Sequence, residues 1–227
     1  MKLKVLCFLF GILLITVSCS FNPPAVMVVK KQRIYTTSPQ GTVSERLSLF
    51  VLLEDADGRN DYKQLVLRED ATGLEWIVQR ENSVFLQESG FSQKTQWIGS
   101  NKFRYPRRVF PPGSYTVCAE DLSGQKTETV FTLEEPPRIT GEPFTFQLDN
   151  GQWKITRIDE NLFSDFSLIF LSADLQPLTT RQIQKDGSGQ YSGSAYHEGT
   201  DDARYIQCCA ENTEHTAAFF SPPLPIP

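Results

Sequence analysis

Residues 113–133 read GSYTVCAEDLSGQKTETVFTL, and residues 203–220 read ARYIQCCAENTEHTAAFF. Tyr115-x-x-Cys118 followed by Ala119-Glu120 has its counterpart in Tyr205-x-x-Cys208 followed, one residue later, by Ala210-Glu211. Each copy reads as a strand, a polar turn (Asp121 to Gly124; Asn212 to His215) and a second strand, because β-branched and aromatic residues flank the turn. Upstream, Leu47–Leu53 is an apolar strand and Glu54–Tyr62 a turn rich in Asp, Gly and Asn. Gln64–Arg68 and Leu74–Val78 follow as strands; in the second half, Trp153–Ile158 and Ser167–Leu171 do the same. Turn signals recur at about the 8–12-residue spacing of β-sandwiches, which predicts an all-β protein. After residue 19 no long window carries a capped helical period, and at most a short helical turn fits between Glu81 and Ser89.

A boundary is expected at Glu134-Glu135-Pro136-Pro137, since two consecutive prolines cannot continue a central strand. It divides the chain into residues 26–135 and 136–227, each the size of an immunoglobulin-like domain. Pro111-Pro112-Gly113-Ser114-Tyr115, Asp121 to Gly124 and Val130–Leu133 together resemble the last hairpin of bacterial immunoglobulin-like and fibronectin-like domains. The resemblance implies two tandem immunoglobulin-like β-sandwiches. It implies nothing about function, since this architecture hosts many.

The chain has 227 residues, 40% of them hydrophobic, too many for a disordered polymer. Its one long apolar run lies at the start, in MKLKVLCFLFGILLITVSC. Lys2 and Lys4 precede an uncharged stretch from Val5 to Val17, shorter than the roughly 20 residues a membrane-spanning helix needs. The run has the form of an export signal. Thr16-Val17-Ser18-Cys19 resembles the lipobox of bacterial lipoproteins, in the relaxed form found among spirochaetes, with Thr16 where Leu is usual. That resemblance implies removal of residues 1–18 as a signal peptide, lipidation of Cys19 by diacylglyceryl and N-acyl (palmitate-type) chains, and residence in the cell envelope, in the outer membrane or on a membrane facing the periplasm. Stable attachment takes two or more acyl chains. Residues 19–25, with Pro23 and Pro24, read as a short non-helical tether.

Removal of Lys2 and Lys4 leaves 20 basic and 27 acidic residues. Residues 20–135 carry 14 basic against 15 acidic side chains, and residues 136–227 carry 6 against 12. Such a balance argues against nucleic acid or anionic lipid as partner of the second half. Two histidines, His197 and His215, without a partnering carboxylate pattern, leave little scope for His-dependent chemistry. Cys118, Cys208 and Cys209 form no C-x-x-C and read as small buried hydrophobes.

Several stretches carry candidate sites. Asp55, Asp57, Asn60 and Asp61 place four side-chain oxygens around Gly58, a partial calcium set in which Asp55, Asp57 and Asp61 would be the metal ligands. The loop lacks the glutamate of a complete EF-hand, and Asp-Gly equally makes a plain turn. Lys102-Phe103-Arg104-Tyr105-Pro106-Arg107-Arg108 is the one basic-aromatic cluster. On a strand, Lys102 and Arg104 share one face and Phe103 and Tyr105 the other, a stripe suited to phosphate or acidic groups, or else to edge protection. Among Trp76, Trp97 and Trp153, Trp97 is the least strand-patterned and is the candidate for an exposed aromatic platform beside that cluster. Gly187–Ser194 lacks the G-x-S-x-G spacing of a nucleophile elbow, and Ser123-x-x-Lys126 falls in a hairpin turn rather than on a helix.

The expectation is therefore a lipid-anchored envelope protein with no catalytic residues and no resident cofactor, binding an envelope protein through Trp97, Lys102, Arg104, Arg107 and Arg108. One alternative is a carbohydrate-active or other hydrolase using two carboxylates among Asp186, Glu198, Asp201 and Asp202. Another is an architectural subunit of envelope assembly.

Overall fold

The computed structural model describes residues 22–38, 41–56, 58, 60–86, 95–139, 141–159, 162–187, 190–196 and 200–227. Within them the protein is all-β. The strands are β1 (Ala25–Thr37), β2 (Val43–Glu54), β3 (Tyr62–Glu69), β4 (Glu75–Gln79), β5 (Val84–Leu86), β6 (Thr95–Phe103), β7 (Gly113–Asp121) and β8 (Lys126–Leu133). They continue as β9 (Phe144–Asp149), β10 (Gln152–Arg157), β11 (Asp165–Leu171), β12 (Pro177–Ile183), β13 (Tyr191–Ser194), β14 (Tyr205–Glu211), β15 (Ala217–Phe220) and β16 (Leu224–Pro225). The short helical turn allowed near Glu81 is a single 3-10 turn, Arg80–Asn82. Among the described residues no helix is long and apolar enough to cross a membrane.

The repeat read in the sequence extends to strand order. The first copy is the ladder β4-β3-β7-β8 and the second β12-β11-β14-β15. In each, the two outer pairings of the leading three strands are antiparallel: β3 with β4 and β7, and β11 with β12 and β14. The polar turns share a mechanism. At Asp121 the backbone N–H donates to Gln125 O (3.0 Å), Gly124 N–H returns to Asp121 O (3.2 Å), and Gln125 N–H donates to the Asp121 carboxylate (2.8 Å). Ser38 and Ser172 make the same three bonds with their hydroxyls, and Asn212 makes them in a turn one residue longer. The fourth residue of each turn has positive φ: Gly41, Gly124, Leu175 and His215. Each is thus a hairpin turn closed by a left-handed residue.

Two compact units form, and they do not follow the division expected at Pro136. The first contains the described residues through Val29, together with Phe50–Ser100 and Gly113–Thr132; the second contains Lys30–Leu49, Asn101–Pro112 and Leu133–Pro227. Strands β1, β2 and β6 each contribute residues to both units. In the first unit, β7 is buried from Tyr115 to Asp121, as suits a central strand, and Leu65, Leu67, Val117 and Ala119 are fully buried. In the second, the sheet β13-β10-β9 packs on the larger ladder through a core of Phe144, Trp153, Phe166, Leu168, Phe170 and Phe219, joined by Tyr35 from β1. There β1 pairs parallel with β15, Arg33 to Thr36 lying opposite Ala217 to Phe220.

Candidate functional site

The basic-aromatic cluster straddles the end of β6 and the loop behind it, in the second unit. The expected alternation holds: Lys102 and Arg104 are exposed, Phe103 is buried and Tyr105 half-buried. Tyr105 packs on Phe110 at 5.4 Å between ring centroids. Arg108 N–H donates to Tyr105 O (3.0 Å) and closes a turn with Pro106 and Arg107 at its tip. Arg108 takes φ +77°, a left-handed conformation that a non-glycine residue adopts at a cost. Both Arg107 and Arg108 are exposed, and neither side chain has a hydrogen-bond or ion-pair partner among the described residues.

What holds this loop is buried. The Arg33 guanidinium donates to Glu45 Oε1 (2.7 Å), to Phe110 O (2.9 Å) and to Glu134 O (2.7 Å). Glu45 Oε1 also accepts the Phe110 N–H (3.0 Å). Arg33 and Glu45 side chains are 3% and 2% exposed, so the loop is fixed at Phe110 by a charge pair shielded from water. Burial, and then the Glu45 charge, keep the neighbouring Tyr35 hydroxyl neutral far into the alkaline range.

One residue along β2, alternation turns Arg46 to the opposite face from Glu45. Arg46 is half-buried, its Nε is buried without a hydrogen-bond partner, and it forms no ion pair among the described residues. Burial and the adjacent positive charge of Arg104 both lower its pKa. Arg46 thus feels a second positive charge, and no acid among the described residues pairs with it. Sequence reading passes over Arg46; the available signal is an arginine between Ser44 and Ser48 at alternating positions of the strand VSERLSLFVLLE.

The other sequence candidates fall elsewhere. Trp97 is 4% exposed, a core residue on β6, so it offers no platform: the strand that carries the cluster turns the indole inward. Asp55 is buried and Asp61 half-buried. Their backbones build the turn, Gly58 N–H donating to Asp55 O (3.2 Å) and Asp61 N–H to Gly58 O (3.1 Å). Asp57 lies outside the described residues, as do Cys19, His197 and Glu198. Among the described residues no three His, Cys, Asp or Glu side chains are grouped to hold a metal ion. The Asp186 carboxylate caps a turn, accepting Gln190 N–H (2.9 Å) and the Ser192 hydroxyl (3.0 Å). Asp201 lines an open cavity of about 410 Å³ with Tyr196 and Arg204, and Asp202 is exposed nearby in sequence. Cys118, Cys208 and Cys209 are buried free thiols, and burial pushes Cys209 up to about 12.

Fold and site together define an all-β protein of immunoglobulin-like β-sandwich type with an arginine-rich loop. No protein-family model matches the chain, and none of the curated proteins matches it in sequence. Among solved structures it is similar to Tp47, the 47-kilodalton lipoprotein of Treponema pallidum, at 13% identity over 87% of this chain and 50% of that one, with a TM-score of 0.45. It is also similar to dimeric latent PorU from Porphyromonas gingivalis (10% identity, 88% of this chain and 20% of that one, TM-score 0.36). A third is murine CEACAM1b (11% identity, 87% and 99%, TM-score 0.27). The chain thus spans half of the first of these and a fifth of the second. The assignment of fold stands on the strands and registers described above.

Proposed function

We propose that the chain is a lipid-anchored envelope protein whose β-sandwich body is a non-catalytic module that captures an acidic protein partner at Arg46, Arg104, Arg107 and Arg108. The anchor is Cys19, after removal of residues 1–18, and its support is the lipobox-like sequence. One observation carries the binding surface: Arg46 lies beside Arg104, half-buried and without a carboxylate partner among the described residues. A guanidinium stripped of part of its water and set against a like charge is destabilised until an anion arrives. The forked donors of arginine suit a carboxylate. The unpaired Arg107 and Arg108 extend the same positive surface along the loop.

The test is in-cell crosslinking followed by pull-down, with melting temperature measured in parallel. Reversing Arg104, Arg107 and Arg108 to Glu abolishes the crosslinked adduct and leaves the melting temperature within about 2 °C, because exposed side chains contribute little to stability. An adduct formed equally by the reversed variant discards this surface. Mass analysis of the mature N-terminus addresses the anchor separately: a free amine, or a start other than residue 19, removes it.

A further inference from the structure

The second unit contains a cleft unrelated to the arginine loop. We propose that it receives an extended peptide strand, with a carboxylate side chain of that strand set against Arg181.

The register makes Arg181 unusual. On β11 and β12, Phe166 lies opposite Ile183, Leu168 opposite Arg181 and Phe170 opposite Thr179. Directly opposite residues of an antiparallel pair point to the same face. Phe166, Leu168 and Phe170 are core residues, so Arg181 and Thr179 occupy core-facing positions too. Both are nonetheless exposed. In the first copy of the repeat, the core-facing positions on β4 are Val78, buried opposite Leu65, and Trp76, opposite Leu67. An arginine therefore stands on the second copy's edge strand where the first has apolar side chains.

Arg181 is exposed because the facing sheet stops short. It has three strands, β13-β10-β9, and ends at β13. Among the described residues, β13 pairs only with β10 and β12 only with β11, leaving two free edges on one side of the sandwich. Between them opens a cleft of about 340 Å³, with buried Trp153 and Leu168 beneath, Arg181 and Gln184 on one wall, and Ser192 and Ser194 on the other. The β13 wall carries no bulk. At Gly193 a Cβ would fall 2.8 Å from the Trp153 ring, so that position has no room for a side chain and the indole packs directly over the backbone, its N–H donating to Ser194 O (3.0 Å).

A further strand laid along β13 would use the backbone groups of β13 left over from its pairing with β10, apart from the Ser194 carbonyl that the Trp153 indole already engages, and cover the uncovered core-facing side of β12. This is recognition by strand addition. At about 3.3 Å per residue, the four residues of β13 match a strand of four to six residues. The cleft also sets the charge of its occupant. The Arg181 side chain has no hydrogen bond or ion pair among the described residues, and Lys185 Nζ lies 5.8 Å over the neighbouring Tyr191 ring. The nearby acid, Asp186, is engaged by Gln190 N–H and the Ser192 hydroxyl.

The test uses the mature chain and two fluorescein-labelled hexapeptides, one of alternating Thr and Glu and one of alternating Thr and Lys, titrated by fluorescence anisotropy. The acidic peptide binds, the basic one does not, and amide resonances of Ser192–Ser194 shift on binding. R181E weakens the acidic peptide by about tenfold or more, as expected for one buried charge-assisted hydrogen bond, and R181K retains part of the affinity. The R107E variant binds as the unaltered chain does, which separates this cleft from the arginine loop. Failure of the acidic peptide to bind, or equal binding by R181E, overturns the proposal. So does an R181V variant that self-associates in sedimentation when no peptide binds the unaltered chain, because Arg181 then only guards an open edge.

Discussion

Arg33 and Glu45 show how a single buried pair organises a surface it never reaches. Bringing both charges out of water is costly, and their attraction offsets this only because further hydrogen bonds are made. Here the guanidinium also satisfies the carbonyls of Phe110 and Glu134, and the carboxylate also satisfies the Phe110 amide. Removing one partner leaves an uncompensated buried charge. R33A should therefore lose about 3–5 kcal/mol of stability, read as a lower guanidinium midpoint at unchanged slope. Replacing both residues by Met should recover most of that loss, since a well-packed apolar pair of similar volume is often as stable as the ion pair. The double variant nevertheless loses the hydrogen bonds that hold Phe110, so partner capture through Arg107 and Arg108 should fall although stability returns. A loss under about 1 kcal/mol in R33A would mean that solvent reaches the pair.

At the scale of elements, one turn recurs at four hairpins, starting at Ser38, Asp121, Ser172 and Asn212, with a left-handed residue fourth. The first residue is chosen for its short oxygen, which captures the backbone amide that closes the turn. The fourth is under a different constraint. Gly124 meets φ +89° without strain, but Leu175 takes φ +57° with an exposed side chain that gains nothing by burial. A left-handed conformation costs an L-residue about 1–2 kcal/mol, partly offset by the extra freedom glycine has in the unfolded chain. L175G should thus stabilise by about 0.5–1 kcal/mol, or about 1–4 °C in calorimetry for a chain of this size, whereas G124L should destabilise by about 1–2 kcal/mol. A lower melting temperature for L175G would place the Leu175 side chain in a contact that matters. These turns also explain which strands can be read from sequence. The hairpins at Asp121 and Asn212 are flanked by matching patterns and repeat, so local chemistry suffices. Asn150-Gly151, between β9 and β10, is an equally good two-residue hairpin signal, with both residues at positive φ, and the sequence reading passes over it.

At the scale of the whole molecule, legibility ends where pairing becomes non-local. The all-β class and the internal repeat follow from periodicity and turn spacing, but nothing near Arg33 announces that its strand lies parallel to Ala217–Phe220. Nor does the local pattern announce Arg46 beside Arg104 or Arg181 beside Leu168, because each meeting is made by strand register. For the same reason the prolines at 136 and 137 mark a linker without marking the limit of a folding unit. The second unit takes Lys30–Leu49 and Asn101–Pro112 from the first half of the chain, and with them Tyr35 of its core and the pair that secures Phe110. A fragment of residues 136–227 lacks all of these and leaves Ala217–Phe220 an open edge with one neighbour gone. It should show no cooperative thermal transition and a poorly dispersed amide spectrum, while the chain from residue 22 to 227 unfolds cooperatively. Small domains are marginal, and losing a paired strand together with a buried tyrosine and the charge clasp removes more than the few kcal/mol such a domain holds in reserve. A sharp, reversible transition from the fragment alone would instead make residues 136–227 a self-sufficient sandwich.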